Sequence, residues 1–215
     1  MKKTAFLLSA FICSVIATAQ CFVEPIEHIV HGADNRPSNQ FPPTEGAVYI
    51  GSAPMTVTFT TKSNSAILQW TYVNELSPDV EFTIGRNTTE ATHTFDRFGR
   101  YTVRVEAQDE GCVNVRDSIQ ISVSESKLEV PNVFTPNNDG QNDQFCVAYK
   151  SIVRYQMYVY NRWGRLVFQS DRPNVCWDGL IGGKPADIGP YYYVIEAEGA
   201  EGHRYKLGGD INLVR

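Results

Sequence analysis

The stretch Ile152-Val153-Arg154-Tyr155-Gln156-Met157-Tyr158-Val159-Tyr160-Asn161 alternates large apolar residues with polar or amphipathic ones. A period of two is the signature of a β-strand, in which successive side chains point to opposite faces. Val153, Tyr155, Met157 and Val159 are expected on one face, with Tyr158 and Tyr160 on the other. Tyr191, Tyr193 and Ile195 repeat the pattern, and Gln144 to Tyr149, Arg165 to Gln169 and Tyr205 to Val214 read as further strands. Upstream, Val130-Pro131-Asn132-Val133-Phe134-Thr135-Pro136 runs into Asn137-Asn138-Asp139-Gly140-Gln141-Asn142-Asp143, a loop of residues that tolerate positive φ and bond their own backbone. These features predict an antiparallel sandwich over 128–215.

The preceding region carries the same signal. Val57 to Thr60, Ile67 to Val73, Glu81 to Ile84, Tyr101 to Ala107 and Ser118 to Val123 are short β-branched and aromatic runs between turn signals, and no helical period competes with them. Trp70 is placed like the core tryptophan of an immunoglobulin-like sheet. A second sandwich is therefore expected over 45–124, joined through the polar segment 124–127. Residues 20–44 hold Pro25, Pro37, Pro42 and Pro43 without a sustained period and read as an extended leader. Before them, Lys2 and Lys3, an apolar run from Ala5 to Ala17, and Ala17-Thr18-Ala19 have the layout of a cleavable export signal over 1–19. The expected fold class is all-β, two immunoglobulin-like antiparallel β-sandwich domains in tandem after a signal peptide.

Removal of that signal leaves 24 Asp+Glu against 17 Lys+Arg, and the excess acid lies before residue 128. Nucleic acid is excluded as a partner, because no Lys/Arg cluster is present to displace counterions from phosphates. Four cysteines remain, Cys21, Cys112, Cys146 and Cys176. They allow three pairings, and the sequence alone does not choose among them. If each half folds as its own domain, the economical pairing is Cys21 with Cys112 and Cys146 with Cys176.

Two family resemblances follow from quoted motifs. Ala53-Pro54-Met55-Thr56-Val57-Thr58-Phe59, the Trp70 strand, and Thr92-His93-Thr94-Phe95 followed by Phe98-Gly99-Arg100-Tyr101-Thr102-Val103 resemble the PKD family of extracellular immunoglobulin-like domains. The chain departs from that family at Trp70-Thr71-Tyr72-Val73-Asn74-Glu75, where a glycine turn usually stands. The order Phe134-Thr135-Pro136-Asn137-Asn138-Asp139-Gly140, Asn142-Asp143, Tyr160-Asn161-Arg162-Trp163-Gly164, Trp177-Asp178-Gly179 and Gly189-Pro190-Tyr191-Tyr192-Tyr193 resembles the gliding motility-associated C-terminal domain, the type B sorting domain of type IX secretion. That resemblance implies a folded address, recognised after export by the type IX machinery and an outer-membrane barrel partner. It implies a protein at the cell surface or outside the cell, associated with the outer membrane. PKD-like domains imply spacers or contacts to proteins and glycans.

Candidate sites are few. Tyr158, Tyr160, Arg162 and Trp163 form a candidate partner-contact patch, set against the plainer reading that they stack within their own sheet. Asn137, Asp139, Asn142 and Asp143 could hold calcium, or could serve the loop backbone as Asx turns. No other cofactor is expected. His28 and His31, three apart near Cys21, have a spacing open to a transition metal but read as unrelated leader residues. Gly182-Gly183-Lys184 is a turn, lacking the spacing of a phosphate loop. No nucleophile–base arrangement appears, so the expectation is a noncatalytic surface protein for adhesion or surface architecture. A glycan-binding module using Tyr72 or Phe82 is the alternative, and a small secreted enzyme ranks below both.

Overall fold

The structure is a computed structural model and describes residues 21–31, 37–39, 48–109, 112 and 114–215. The expected signal over 1–19 lies outside the described residues. The first domain comprises β1 (Glu27–His31), β2 (Pro37–Asn39), β3 (Val48–Gly51), β4 (Met55–Thr60), β5 (Leu68–Asn74), β6 (Ser77–Arg86), β7 (Glu90–Phe95), β8 (Gly99–Ala107) and β9 (Arg116–Val123). They form two facing sheets, ordered β2-β1-β4-β7 and β3-β9-β8-β5-β6. β4 shows how the sequence dictates the layers. Met55, Val57 and Phe59 are buried, while Thr56 and Thr58 share hydroxyl hydrogen bonds of 2.8 Å with Thr94 and Thr92 across the strand pair. Trp70 is fully buried among Phe59, Val105 and neighbours, and its indole N–H donates to the Thr88 carbonyl at 2.8 Å, so burial leaves no orphaned donor.

The extended leader expected over 20–44 is corrected by β1. Ile26 and Val30 lie in the first core, and β1 pairs antiparallel with β4, His28 opposite Phe59. Ile26, His28 and Val30 point inward with period two. The histidine at the centre and the prolines on either side hide that period from an apolar count. The Cys21–Cys112 bridge, with Cα atoms 5.5 Å apart, fastens the start of this segment to the β8–β9 connection.

The second domain comprises β10 (Lys127–Glu129), β11 (Val133–Phe134), β12 (Ala148–Lys150), β13 (Ile152–Tyr160), β14 (Leu166–Ser170), β15 (Leu180–Ile181), β16 (Lys184–Pro185), β17 (Gly189–Gly199) and β18 (Arg204–Leu213). Its main sheet is ordered β11-β18-β17-β13-β14, with two-stranded pieces β10-β12 and β15-β16. The buried side chains Tyr155, Met157, Val159, Tyr191, Ile195 and Ile211 line the inner face. They pack against Phe134 of β11 and against Phe145 and Trp177, the latter two in a covering layer made largely of loops. The backbones of Phe145 and Trp177 exchange hydrogen bonds of 2.8 and 3.1 Å, and the adjacent Cys146–Cys176 disulfide staples the same two segments. The strand expected over Gln144 to Tyr149 is thus one bridge at Phe145 followed by β12.

Val153 leaves the face expected for it. The register of β13 on β17 shifts between Ile152 and Arg154, and Val153 packs against the first-domain core together with Ala200 from the β17–β18 turn. This contact is one part of a polar and apolar seam. Ser151, fully buried with φ of 48°, accepts from the Ala53 N–H at 3.2 Å and shares a 3.0 Å hydroxyl contact with Ser124. The Phe98 N–H donates to the Ala200 carbonyl at 3.1 Å. Beyond it, the Ser126 hydroxyl bonds the Glu201 carboxylate and meets the Tyr205 hydroxyl at 2.7 Å. The joint is held at both ends.

Both domains also share a local device. The Tyr101 hydroxyl donates to the Arg97 carbonyl at 2.7 Å, and the Tyr191 hydroxyl to the Asp187 carbonyl at 3.0 Å. In each case a glycine two residues earlier, Gly99 or Gly189, enters the strand at positive φ. These are tyrosine corners, which lock a connection onto the strand that follows it.

Candidate interaction surface

The inner face of the second domain's main sheet is covered, while among the described residues its outer face is bare at one end. Strand register fixes the arrangement. Leu166, Tyr160, Tyr192 and Asp210 lie side by side in one row across β14, β13, β17 and β18, and Gln169, Tyr158, Val194 and Gly208 form the next. Tyr192 is 48% and Val194 44% exposed. Tyr158 and Tyr160 have ring centroids 6.4 Å apart at 28°. The result is a tyrosine-rich platform floored at one edge by a glycine.

Tyr192, Val194 and Leu166 join this platform although sequence reading omitted them. Assigning Tyr191, Tyr193 and Ile195 to one face already puts Tyr192 and Val194 on the other, so the signal was present in the alternation.

The β13–β14 turn projects from the same end. Asn161 shapes it by accepting from the Trp163 and Arg165 N–H groups at 3.1 and 3.0 Å, and Gly164 supplies the positive φ of 75° that the turn requires. Trp163 is left 70% exposed, with the Arg162 guanidinium 4.2 Å from its ring centroid. A cleft of about 140 Å³ opens beside them, lined by Ile188, Pro190 and Tyr191 among others. The structure therefore brings Tyr158 and Tyr160 together on the sheet face and Arg162 and Trp163 together at its tip.

The Asn137–Asp143 loop is organised around a carboxylate. Asp143 Oδ1 accepts from the N–H groups of Asn137 and Asn138 at 3.0 and 2.6 Å, and Oδ2 from Gly140 at 2.8 Å. Desolvation pushes the Asp143 carboxyl upward, but the N–H groups of Gly140, Asn138, Asn137 and Asp139 outweigh it and hold its pKa below the ordinary value. Asn137 Oδ1 accepts from Asp139, and Asp139 Oδ1 from Gln141, in Asx turns of 3.0 and 2.7 Å. Asn142 adopts positive φ. Beside the loop lies an open cleft of about 840 Å³ lined by Val130, Pro131, Val133 and Asp143 among others.

In the first domain Phe82, 45% exposed on β6, stacks on Tyr72 with centroids 5.0 Å apart at 18°, and His93 lies 4.5 Å from Tyr72. Burial lowers the pKa of His93, against the opposing charge of Asp96. His28 points into the core rather than toward a metal-binding partner set, and among the described residues no group of three His, Cys, Asp or Glu side chains converges on one point.

The architecture defines an all-β chain of two tandem β-sandwich domains, the second carrying a bare, tyrosine-rich sheet face. Residues 128–209 match the CHU_C type IX secretion signal domain, and the second sandwich accordingly carries that domain. Such a domain implies export to the cell surface or the extracellular space. No curated protein matches the chain. Among solved structures, the chain is similar to a two-domain fibronectin type III segment of chicken tenascin, at 13% identity over 75% of this chain and 94% of that chain, with a TM-score of 0.32. It is similar also to the fibronectin(III)-like modules of Clostridium thermocellum CbhA, at 13% identity over 80% and 90% of the two chains, TM-score 0.24. A third similarity is to latent PorU of Porphyromonas gingivalis, at 14% identity over 89% of this chain and 20% of that one, TM-score 0.29.

Proposed function

We propose that this chain is a noncatalytic surface protein: a PKD-like domain for adhesion or surface architecture, delivered by a type B sorting domain that docks on an outer-membrane barrel. The observation that carries the reading is the match of residues 128–209 to a type IX secretion signal domain. The exposed Trp163 with Arg162 stacked on it, next to the Tyr158, Tyr160 and Tyr192 platform, supports a docking role. Aromatic and Arg side chains are the usual anchors of protein interfaces. The reading includes no cofactor; that the Asp143 oxygens accept from the amides of their own loop supports the Asx-turn alternative for this segment. Deleting 128–215 and fractionating the cells tests it: the truncated protein is expected to remain periplasmic, and unchanged surface exposure would refute the delivery role.

A second reading rests on the Phe82–Tyr72 stack with His93 beside it, a half-exposed aromatic group of the kind that stacks on sugar faces. A glycan array probed with the whole mature chain, in which Phe82→Ala abolishes any signal, would establish glycan binding. An array with no signal would leave adhesion to proteins or surface architecture as the function.

A further inference from the structure

β18 is an edge strand over most of its length. Among the described residues β11 covers it only at Asn212 and Leu213, so Arg204 to Asp210 pair with β17 on one side alone. The Asn212 N–H points to the β11 side, donating to Asn132. By strand alternation the N–H and C=O groups of Arg204, Lys206, Gly208 and Asp210 point the same way, outward from the sheet. This open row is bounded by the β17–β18 turn at one end and β11 at the other, a span of about 24 Å. The features that usually blunt an edge are scarce. The β17–β18 register is uninterrupted and β18 contains no proline, whereas the exposed edge of β6 carries Pro78 and two register shifts in its pairing.

We propose that this edge pairs with the same edge of a second copy of the chain, antiparallel about a twofold axis at Leu207, to form one continuous sheet. The charges, together with the limit that β11 sets at Asn212, select this register over its neighbours, including the one that would pair Lys206 with Asp210. It sets Arg204 opposite Asp210 of the second copy, and the reverse by symmetry, on the outer face that both side chains share. Lys206, which lies 3.9 Å from the Glu196 carboxylate of β17, falls opposite Gly208, which offers no side chain to collide with. On the inner face the half-buried Leu207 meets Leu207 of the second copy. All the outward backbone groups from Arg204 to Asp210 are then matched, for about eight backbone hydrogen bonds. Sliding the copies by two residues in one direction puts Lys206 against Lys206. Sliding them the other way sets Arg204 against Asn212, whose outward N–H is already bonded to Asn132. A twofold, self-complementary contact of this kind closes as a dimer and does not propagate. It would present two first domains to one target surface and so raise avidity.

The test uses the purified mature chain and does not depend on how the protein is exported. Sedimentation velocity over ~1 to ~500 µM should show a reversible monomer–dimer equilibrium. Arg204→Asp and Asp210→Arg should each weaken it about tenfold or more, because every such change turns two attractive cross-strand pairs into repulsive ones. Mixing the two variants in equal amounts should restore dimers, since each then supplies the charge the other lacks. Gly208→Pro, which removes an outward N–H without touching the β17 ladder, should abolish the dimer while far-UV circular dichroism stays unchanged. A chain that stays monomeric throughout, or dimers that survive Gly208→Pro, overturns the proposal. Single-variant dimers as strong as the parent's, or mixed variants that fail to associate, also overturn it.

Discussion

His28 and His93 show how single residues tie this fold to pH. Burial lowers both pKa values from the ordinary 6.5, with Asp96 opposing the shift at His93. Each imidazole therefore stays neutral in the folded chain at pH values where the unfolded chain is already protonated. The unfolded state takes up more protons, so stability is full above about 6.5 and falls as pH drops below it, levelling once the folded imidazoles titrate. Thermal melting between pH ~7.5 and ~5 is expected to show this decline, and His28→Leu to reduce it to the part that His93 contributes. Asp143 acts in a lower window. Its depressed carboxyl contributes fully above 3.8 and is lost as pH falls through its folded value. His28 also explains why β1 escaped sequence reading: one imidazole among inward-pointing apolar residues breaks the alternation that an apolar count relies on.

The tyrosine corners belong to the scale of the element. Tyr101 and Tyr191 each tie a strand to the loop before it through one hydroxyl, and burial raises the pKa of both, that of Tyr101 to about 12, so both remain donors at any working pH. Tyr101→Phe and Tyr191→Phe should each cost about 1–2 kcal/mol by leaving a carbonyl unsatisfied, as read from chemical denaturation midpoints. Their shared local pattern, Gly99-Arg100-Tyr101 and Gly189-Pro190-Tyr191, was legible in the chain once one knew to compare the two halves. The β13 alternation was legible too, and it placed Tyr155, Met157 and Val159 inward. It failed at Val153, where the break in β13–β17 register turns the side chain toward another domain. A local period carries no information about a neighbour that arrives from elsewhere in the chain.

For the whole molecule, the seam decides whether the two sandwiches behave as one body. Ser151 is buried between Ala53 and Ser124, and Val153 and Ala200 extend the first core. The chain should accordingly unfold in a single calorimetric transition. Ala200→Arg, which forces a charge into the seam, should split it into two transitions and broaden the interdomain distances seen by small-angle scattering. Two transitions in the parent chain would show that the seam contributes little coupling.

The amino-acid order alone determined that both halves are β-sandwiches, that Trp70 lies in a core, and that a sorting-type motif set occupies 128–215. The first two rest on side-chain periodicity and on turn residues, which act within a few positions of each other, and the third on the resemblance of its motifs to a known family. Only the tertiary structure decided that β1 completes the first domain, and that Asp143 turns its oxygens onto its own loop. It also decided that Tyr192 and Val194 join Tyr158 and Tyr160 on one bare face, and that β18 keeps most of its edge open. Apart from the Asp143 loop, whose choice between backbone and cation was open in the chain, these depend on which distant strands meet and in what register, a matter of long-range pairing and burial that no local pattern encodes.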